Sequence, residues 1–187
     1  APPEKELEWN MNGLAGAYRF LNRLFLLIED TKEFSEAGEI DHGKRNNEDS
    51  EIQKKLHQTV KKVSESMEDN FHFNTAIAAL MELLNDMTSY RQKVIDTGKI
   101  SSESKKIWRE VMEKTVLMLS PFAPHIADEL WSASGREGYA FLESWPEYIE
   151  ELTKESKINL VVQVNGKLRD TILADVNIPK EELEKIA

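Results

Sequence analysis

Apolar residues recur at three- and four-residue steps along most of the chain up to residue 131, a spacing that predicts amphipathic helices. The first predicted helix covers 13–28, and its apolar stripe is expected to face a core. A second is predicted over 49–68, with Asp49 or Ser50 as its N-terminal cap. The two stripes consist of Leu14, Tyr18, Leu21, Phe25 and Ile28, and of Ile52, Leu56, Val60, Val63 and Met67.

Three more helices follow from the same spacing and from the residues that start and stop helices. Asn74 is predicted to cap a third helix that ends just before Gly98. A fourth is expected to begin at Ser102 and to end before Pro121, because proline disfavours helix at the preceding residue. Pro124 suits the first turn of a short fifth helix. Four long helices and a short one predict a mainly α fold, an α-helical bundle.

Two segments lack this periodicity. Residues 29–51 carry nine acids and three bases with almost no large apolar side chains, which predicts a long solvated loop. Residues 132–157 are interpreted as a connector that packs Phe141 and Trp145 against the bundle.

After this connector the apolar spacing changes from helical to alternating. Ile158, Leu160 and Val162 alternate with their neighbours, and the Asn-Gly pair at 165–166 indicates a β-hairpin. Pro179 is predicted to open a final helix. Because a hairpin and a short helix cannot form a core alone, they are interpreted as the start of a truncated α+β domain. The predicted organisation is a lead-in over 1–12, a helical bundle over 13–150, and a connector with the start of a C-terminal domain over 151–187.

The hairpin turn decides which residues share a face. A two-residue loop mixes apolar and charged residues on both faces. A three-residue loop over 164–166, with Gly166 in the left-handed conformation, gathers the aliphatic residues on one face, which avoids exposing them at about 1.5–3 kcal/mol each. This register is therefore predicted. Its other face would be a small basic surface made by Gln163, Lys167, Arg169 and Thr171.

The charge balance limits what such surfaces can bind. The 187 residues carry a net charge of −10, whereas nucleic-acid-binding domains usually present a basic field. Any RNA contact must therefore be local. Arg19 and Arg23 lie four residues apart on one face of the first helix, where two guanidinium groups can track phosphates. The alternative is a solvated face that pairs with nearby acids such as Glu29; Tyr90, Arg91 and Lys93 are a weaker candidate set.

Residues with catalytic or metal-binding spacing are not found. The chain has no cysteine, so disulfides, thiol catalysis and cysteine-ligated zinc are excluded. The four histidines have no i,i+4 pair, and no glycine-rich phosphate loop exists, so no metal and no catalytic residue is predicted. His125 is expected to make a structural hydrogen bond. With no apolar run of membrane-spanning length, the sequence fits a cytoplasmic protein.

Two motifs carry a family resemblance. Residues 120–131 read Ser-Pro-Phe-Ala-Pro-His-Ile-Ala-Asp-Glu-Leu-Trp, and 161–170 read Val-Val-Gln-Val-Asn-Gly-Lys-Leu-Arg-Asp. The first resembles the last-helix motif in the anticodon-binding domain of class I aminoacyl-tRNA synthetases for large aliphatic amino acids. The second resembles the hairpin that follows that domain in the leucyl-tRNA synthetase family. The valyl and isoleucyl relatives share the first motif but lack this hairpin. Residues 1–9 look like the segment just after the ATP-site loop.

The resemblance implies a C-terminal fragment, with the catalytic half expected upstream of Ala1. That half would join leucine to its tRNA using ATP and magnesium, while this part contributes contacts to the body of the leucine tRNA. The segment 99–106, Lys-Ile-Ser-Ser-Glu-Ser-Lys-Lys, is interpreted as a loop with serine caps rather than as a second ATP loop. The alternative function is an acidic helical bundle for protein interaction with no RNA role.

Overall fold

The computed structural model describes the backbone of residues 11–98, 100–154, 157–164 and 167–175. The chain divides into two compact units, Ala1–Leu152 and Thr153–Ala187, which are described separately. The domain boundaries drawn from the sequence stay a prediction. Within the described residues, no helix has both the length and the apolar character needed to cross a membrane.

The first unit is a helical bundle, as predicted. Its five main helices are α1 (Met11–Thr31), α2 (Asn47–Asn70), α3 (Phe73–Tyr90), α4 (Ser102–Leu119) and α5 (Pro124–Ala133). Short 3-10 turns lie at Lys32–Phe34, His42–Lys44 and Ala140–Leu142, a π-helical turn at Arg91–Ile95 continues α3, and a last turn of helix, α6, covers Glu150–Thr153. The helix α2 packs against α3 and α4, and α1 packs against α5.

The core lies where the apolar stripes of these helices meet. Leu24 of α1, Leu56 of α2, Leu84 of α3, Trp108 of α4 and Leu130 of α5 are all fully or almost fully buried. Each such side chain stabilises the bundle by about 1.5–3 kcal/mol relative to exposure. Trp131 is also buried, and its indole Nε1 donates to the backbone oxygen of Glu137 at 3.3 Å.

The buried face of α1 differs from the predicted one. Phe20, Leu24, Leu27 and Ile28 are buried, whereas Tyr18 is 69% exposed and Leu14, also in the predicted stripe, is half exposed. The predicted stripe is therefore wrong for the first half of the helix. The physical reason is that α1 carries apolar residues on two neighbouring faces, and periodicity alone does not tell which of them meets the other helices.

The helix ends were predicted with mixed success. Helix α4 begins at Ser102, as predicted, and Ser101 caps it by accepting from Ser104 N at 3.0 Å. Pro124 occupies the first turn of α5, and Gly98, at φ 70°, follows the end of the π-helical turn, both as predicted. The Asn74 cap is wrong, because α3 begins one residue earlier at Phe73.

The solvated loop predicted over 29–51 is shorter and less exposed than expected. Helix α1 continues to Thr31, which is buried, and α2 starts at Asn47. In the segment between these helices, the backbone N–H of Asp41 donates to the side chain of Glu103, which is buried on α4. Lys106 Nζ on α4 donates to the backbone oxygen of Glu39 at 3.0 Å. These bonds hold the acidic segment against the start of α4.

The connector that follows α5 contacts the bundle through a buried alanine, a buried proline and the hydrogen bond of one indole. Ala140 and Pro146 are buried, whereas Phe141 is 56% exposed, so the predicted packing of Phe141 is wrong. Trp145 is 39% exposed, and its Nε1 donates to Ser64 Oγ on α2 at 2.8 Å. Alanine and proline give only a weak hydrophobic signal in a sequence. Large aromatic residues give a strong one, so the sequence predicts packing at Phe141 and Trp145 instead.

The second unit contains two strands, β1 (Lys157–Val164) and β2 (Lys167–Asp175), which pair antiparallel. Val164 pairs with Lys167, so the predicted three-residue loop is wrong, and only 165–166 connect the strands. The register shifts between Val162 and Gln163, whose partners are Asp170 and Leu168. A β-bulge in β2 shifts the pairing by one residue, so that Leu160 lies opposite Ile172 as the prediction of one apolar face requires, whereas Leu168 lies opposite Gln163. The φ angle of Gly166 and the helix predicted from Pro179 lie outside the described residues.

Candidate functional site

The two arginines predicted to contact phosphate lie one turn apart on α1, and both side chains are exposed. Arg19 Nε donates to the backbone oxygen of Ala15 at 3.3 Å, and Arg23 Nη2 donates to Asn85 Oδ1 on α3 at 3.1 Å. Because a guanidinium group has several N–H donors, each arginine keeps donors for an external acceptor. We call this pair, Arg19 and Arg23, the arginine face.

Among the residues that the structure describes, no acid neutralises the arginine face. In the described part of the chain neither arginine lies within salt-bridge distance of a carboxylate. Glu29, the expected local partner, instead binds Lys32 at 2.9 Å. By contrast, Arg91 is held by Asp30 at 3.1 Å. The arginine face therefore differs from an arginine whose charge is already satisfied within the bundle.

The weaker candidate set does not form a surface. Tyr90 is buried, and its ring stacks on Trp108 with 5.4 Å between centroids. Arg91 is bound by Asp30 on one side and by Asp96, at 3.4 Å, on the other. Only Lys93 is exposed. The prediction of a second helical basic patch at Tyr90, Arg91 and Lys93 is wrong, because two of its three members take part in packing and ion pairs.

The other two candidate residues lie in the second unit. Lys167 begins β2, and Arg169 falls between Leu168 and Asp170, at the place where the pairing shifts. Arg169 is therefore the extra residue of the β-bulge. The positions of these two side chains lie outside the described part of the structure, so their shared face stays a prediction.

A buried carboxylate joins three helices, and it was not predicted. Asp49, in the first turn of α2, is fully buried. Its Oδ1 accepts from Tyr90 Oη at 2.6 Å, and its Oδ2 accepts from Ser104 Oγ at 3.0 Å and from Asn46 N at 3.2 Å. Asn46 Oδ1 in turn accepts from Asp49 N at 2.7 Å, which completes a capping box. The Asn-x-x-Asp spacing at 46–49 was the signal in the sequence.

A second buried polar group lies further along α2. His57 is fully buried, and its Nδ1 accepts from the backbone N–H of Ile149 at 3.2 Å. The proton of the neutral ring is therefore on Nε2, which lies 3.5 Å from Glu110 Oε1 and has no hydrogen-bond partner. Burial, with the positive charge of Lys114, lowers the pKa of His57 to about 4, although Glu110 acts in the opposite direction. Near neutral pH this contact is therefore not a salt bridge.

Glu110 has its own partners around that histidine. It accepts from Gln53 Nε2 at 2.9 Å and from Lys114 Nζ at 2.8 Å. Lys114 also donates to the backbone oxygen of Glu147 at 2.9 Å. The cluster thus fastens the segment before α6 to α2 and α4. Nothing in the sequence distinguishes His57 from the other three histidines, so no signal for this cluster was available.

Three predictions, about metal binding, His125 and the segment 99–106, can be compared with the structure. Among the described residues no group of three His, Cys, Asp or Glu side chains is arranged to hold a metal ion. His125 is exposed on the first turn of α5, so its position gives no support for the predicted structural hydrogen bond. Ser101 caps α4, as the interpretation of serine caps in 99–106 expects, but residues 102–106 belong to α4, so the interpretation of this segment as an inter-helix loop is wrong for most of its length.

Comparison with known proteins identifies the class. Residues 49–186 match the family model of the anticodon-binding domain of tRNA ligase. The chain belongs to this family. Along its whole length it is 45% identical to a leucine–tRNA ligase of Fusobacterium nucleatum and 40% identical to one of Petrotoga mobilis.

The fold agrees with a solved member of the same group. A LeuRS of Agrobacterium radiobacter K84, crystallised as a ternary complex with tRNA and LeuAMS, superimposes with a TM-score of 0.74 at 34% identity over 96% of this chain. The chain spans about a fifth of the length of these relatives, 22% of each. The resemblance drawn from residues 120–131 and 161–170 is confirmed.

Proposed function

We propose that this chain is the tRNA-binding portion of a leucine–tRNA ligase, which supplies contacts to the tRNA and not the chemistry of aminoacylation. The observation that carries the proposal is the match to leucine–tRNA ligases over the entire chain at 40–45% identity. In such an enzyme the remaining part joins leucine to leucine tRNA with ATP and magnesium in the cytoplasm. The similarity to a LeuRS solved with tRNA supports the tRNA as the partner.

The arginine face is the first proposed tRNA contact. Its two guanidinium groups are exposed, lie one turn apart and have no carboxylate partner in the described residues. Guanidinium groups bind phosphate oxygens through two parallel N–H donors. Two arginines on adjacent turns can therefore hold neighbouring phosphates of one strand. Such contacts position the RNA but carry little sequence information.

Lys167 and Arg169 are the second proposed contact. They belong to the segment 161–170 that resembles the hairpin of the leucyl-tRNA synthetase family. Two further cations in this segment would add phosphate contacts from the second unit. A net charge of −10 means that the whole surface cannot attract RNA, so the proposal depends on a few local contacts.

Replacing Arg19 and Arg23 together with alanine tests the first contact. We expect tRNA binding to weaken about tenfold and the dependence of log K on log salt to become shallower by about two, close to one for each lost phosphate contact. The matched control is Lys44→Ala with Lys62→Ala, which removes the same charge from two other exposed positions. Equal loss in the control would show a general charge effect and not a site.

The same titration tests Lys167→Ala with Arg169→Ala. We expect weaker tRNA binding, with leucine-dependent ATP–pyrophosphate exchange of the complete enzyme nearly unchanged because that reaction does not need tRNA contacts here. If both double variants bind tRNA like the parent at every salt concentration, the RNA role of these residues is wrong. If the unmodified chain shows no salt-dependent binding, the protein-interaction bundle is the better assignment.

A further inference from the structure

Three large apolar side chains project from the connector beside α5. Tyr139 is 55% exposed, Phe141 56% and Leu142 72%. The rings of Tyr139 and Phe141 stack on each other with 5.4 Å between centroids. We call Tyr139, Phe141 and Leu142 the apolar patch. Exposed apolar residues that occur singly need no explanation, but three that adjoin each other indicate a contact surface.

The backbone that carries the apolar patch is held firmly. Asp128 Oδ1 on α5 accepts from Ala140 N at 2.9 Å, and Ala140 itself is buried. Leu142 N donates to the backbone oxygen of Tyr139 at 3.0 Å, which closes a 3-10 turn. Trp131 Nε1 holds the backbone oxygen of Glu137 two residues before the patch. A patch fixed in this way loses little conformational entropy when a partner binds.

Acidic residues flank the patch on both sides. One adjoining surface cleft is lined by Asp128 and Glu129 together with Tyr139. The other is lined by Glu143 together with Phe141. Within the described residues neither cleft has a lysine or arginine in its lining, and His125 is the one histidine that lines the first cleft. Glu129 and Glu143 are exposed, so the rim of the patch is acidic.

We infer that the apolar patch docks a cationic amphipathic protein segment that lies outside this chain, one that places apolar side chains on Phe141 and Leu142 and lysine or arginine beside Glu129 and Glu143. Charge complementarity decides between the possible occupants. RNA would bring phosphates against these carboxylates. A second copy of this chain would bring its own Glu129 and Glu143 against those of the first copy, and each copy has a net charge of −10. A basic rim around an apolar centre matches both features.

The probe for this site is an amphipathic helical peptide with leucines on one face and lysines on the other. The comparison peptide carries glutamate in place of every lysine. Binding to the chain is followed by fluorescence anisotropy of the labelled peptide, and the contacted residues by changes in backbone amide NMR shifts. We expect the lysine peptide to bind and to shift residues 139–143, and the glutamate peptide not to bind.

Substitutions then locate the site. Phe141→Ser with Leu142→Ser is expected to weaken binding of the lysine peptide about tenfold or more, because apolar anchors carry most of an interface's affinity. The matched control is Leu14→Ser with Leu26→Ser, which removes two apolar side chains of about half exposure from α1. All four positions are at least 49% exposed, so folding should be retained.

Charge reversal tests the rim separately. Glu129→Lys with Glu143→Lys should shift binding from the lysine peptide to the glutamate peptide, whereas Glu65→Lys with Glu68→Lys, at two exposed positions of α2, should not. The inference is overturned if the serine variants at 141 and 142 bind as well as the parent. It is also overturned if those variants abolish self-association of the chain, which would make a second copy the occupant, or if they weaken tRNA binding.

Discussion

Asp49 and His57 are buried polar residues of α2, about two helical turns apart, and they differ in how completely their hydrogen bonds are formed. The carboxylate of Asp49 receives three hydrogen bonds, from Tyr90, Ser104 and the backbone of Asn46. The imidazole of His57 accepts one bond at Nδ1, from Ile149, and leaves its Nε2 unpaired although the side chain is fully buried. A buried polar group costs little when its hydrogen bonds are complete, and costs free energy when they are not.

The Asp49 cluster and the His57 cluster stabilise different parts of the fold. The Asp49 cluster joins the start of α2, the end of α3 and the start of α4, and each of its acceptor atoms has a donor. The His57 cluster holds a connector to α2 through a single acceptor nitrogen that must stay unprotonated. We therefore expect the second cluster to lose its hydrogen bond to the connector as the pH falls.

Removing the carboxylate should produce the largest effect. Asp49→Ala leaves the buried hydroxyls of Tyr90 and Ser104 without their acceptor and removes the capping box, and we expect a loss of roughly 3 kcal/mol in the free energy of unfolding. Urea unfolding at neutral pH measures this. Glu51→Ala, at an exposed position of the same helix, is the control and should change stability by less than about 0.5 kcal/mol. Equal losses in both variants would contradict the role of the cluster.

Lowering the pH should reduce the free energy of unfolding through His57. Burial lowers the pKa of His57 to about 4, whereas an unfolded histidine titrates near 6.5. Between these values the unfolded state binds more protons, so stability falls as the pH is lowered through this window and levels off below it. The cost reaches roughly 3 kcal/mol, since one pKa unit corresponds to about 1.4 kcal/mol.

Unfolding free energies measured at a series of pH values test this expectation. His57→Gln, which cannot gain a proton, should lose the slope between about pH 6.5 and 4.5, where few carboxylates titrate. His42→Gln, at an exposed position, should keep it. A parent protein whose stability is constant across that window would show that His57 is not neutralised by burial.

The two clusters also show which features of the fold can be predicted from the sequence and which cannot. Periodic leucines such as Leu56 and Leu84 predicted α2 and α3, because burial of an apolar stripe depends on spacing that is visible in one chain. Asp49 is predicted at the end of a solvated loop as a possible N-terminal cap, because acids are normally exposed. The cap is instead Asn46. The donors to the Asp49 carboxylate come from residues up to 55 positions away. Local composition cannot show such a partner. His57 was missed for the same reason.

The candidate site was predictable only in part. The spacing of Arg19 and Arg23 predicted that both lie on one helix face, and they do. Within the described residues the two arginines form no ion pair, because Glu29 pairs with Lys32. The exposure of Tyr18 depends on how α1 is rotated against the other helices. Both follow from tertiary packing. The apolar patch was missed because aromatic residues in a connector are usually expected to be buried.

The smallest effect is expected from the hydroxyl of Tyr90. Tyr90→Phe keeps the ring against Trp108 but removes the donor to Asp49 Oδ1, while Ser104 and Asn46 still bond the other oxygen. We expect a loss of about 1–2 kcal/mol, less than for Asp49→Ala because the carboxylate stays mostly satisfied. Tyr139→Phe, which changes a half-exposed ring in the same way, should be close to neutral.

A double-mutant cycle makes this test specific to the cluster. If Tyr90 and Ser104 act through the same carboxylate, the loss in Tyr90→Phe with Ser104→Ala should differ from the sum of the single losses by about 0.5 kcal/mol or more. Burial and the hydrogen bond to Asp49 also raise the pKa of Tyr90, so its ring should resist ionisation in an alkaline absorbance titration. Additive losses, together with ordinary ionisation of Tyr90, would mean that the hydroxyl does not bond Asp49 in solution, and the contrast between the two clusters of α2 would then rest on His57 alone.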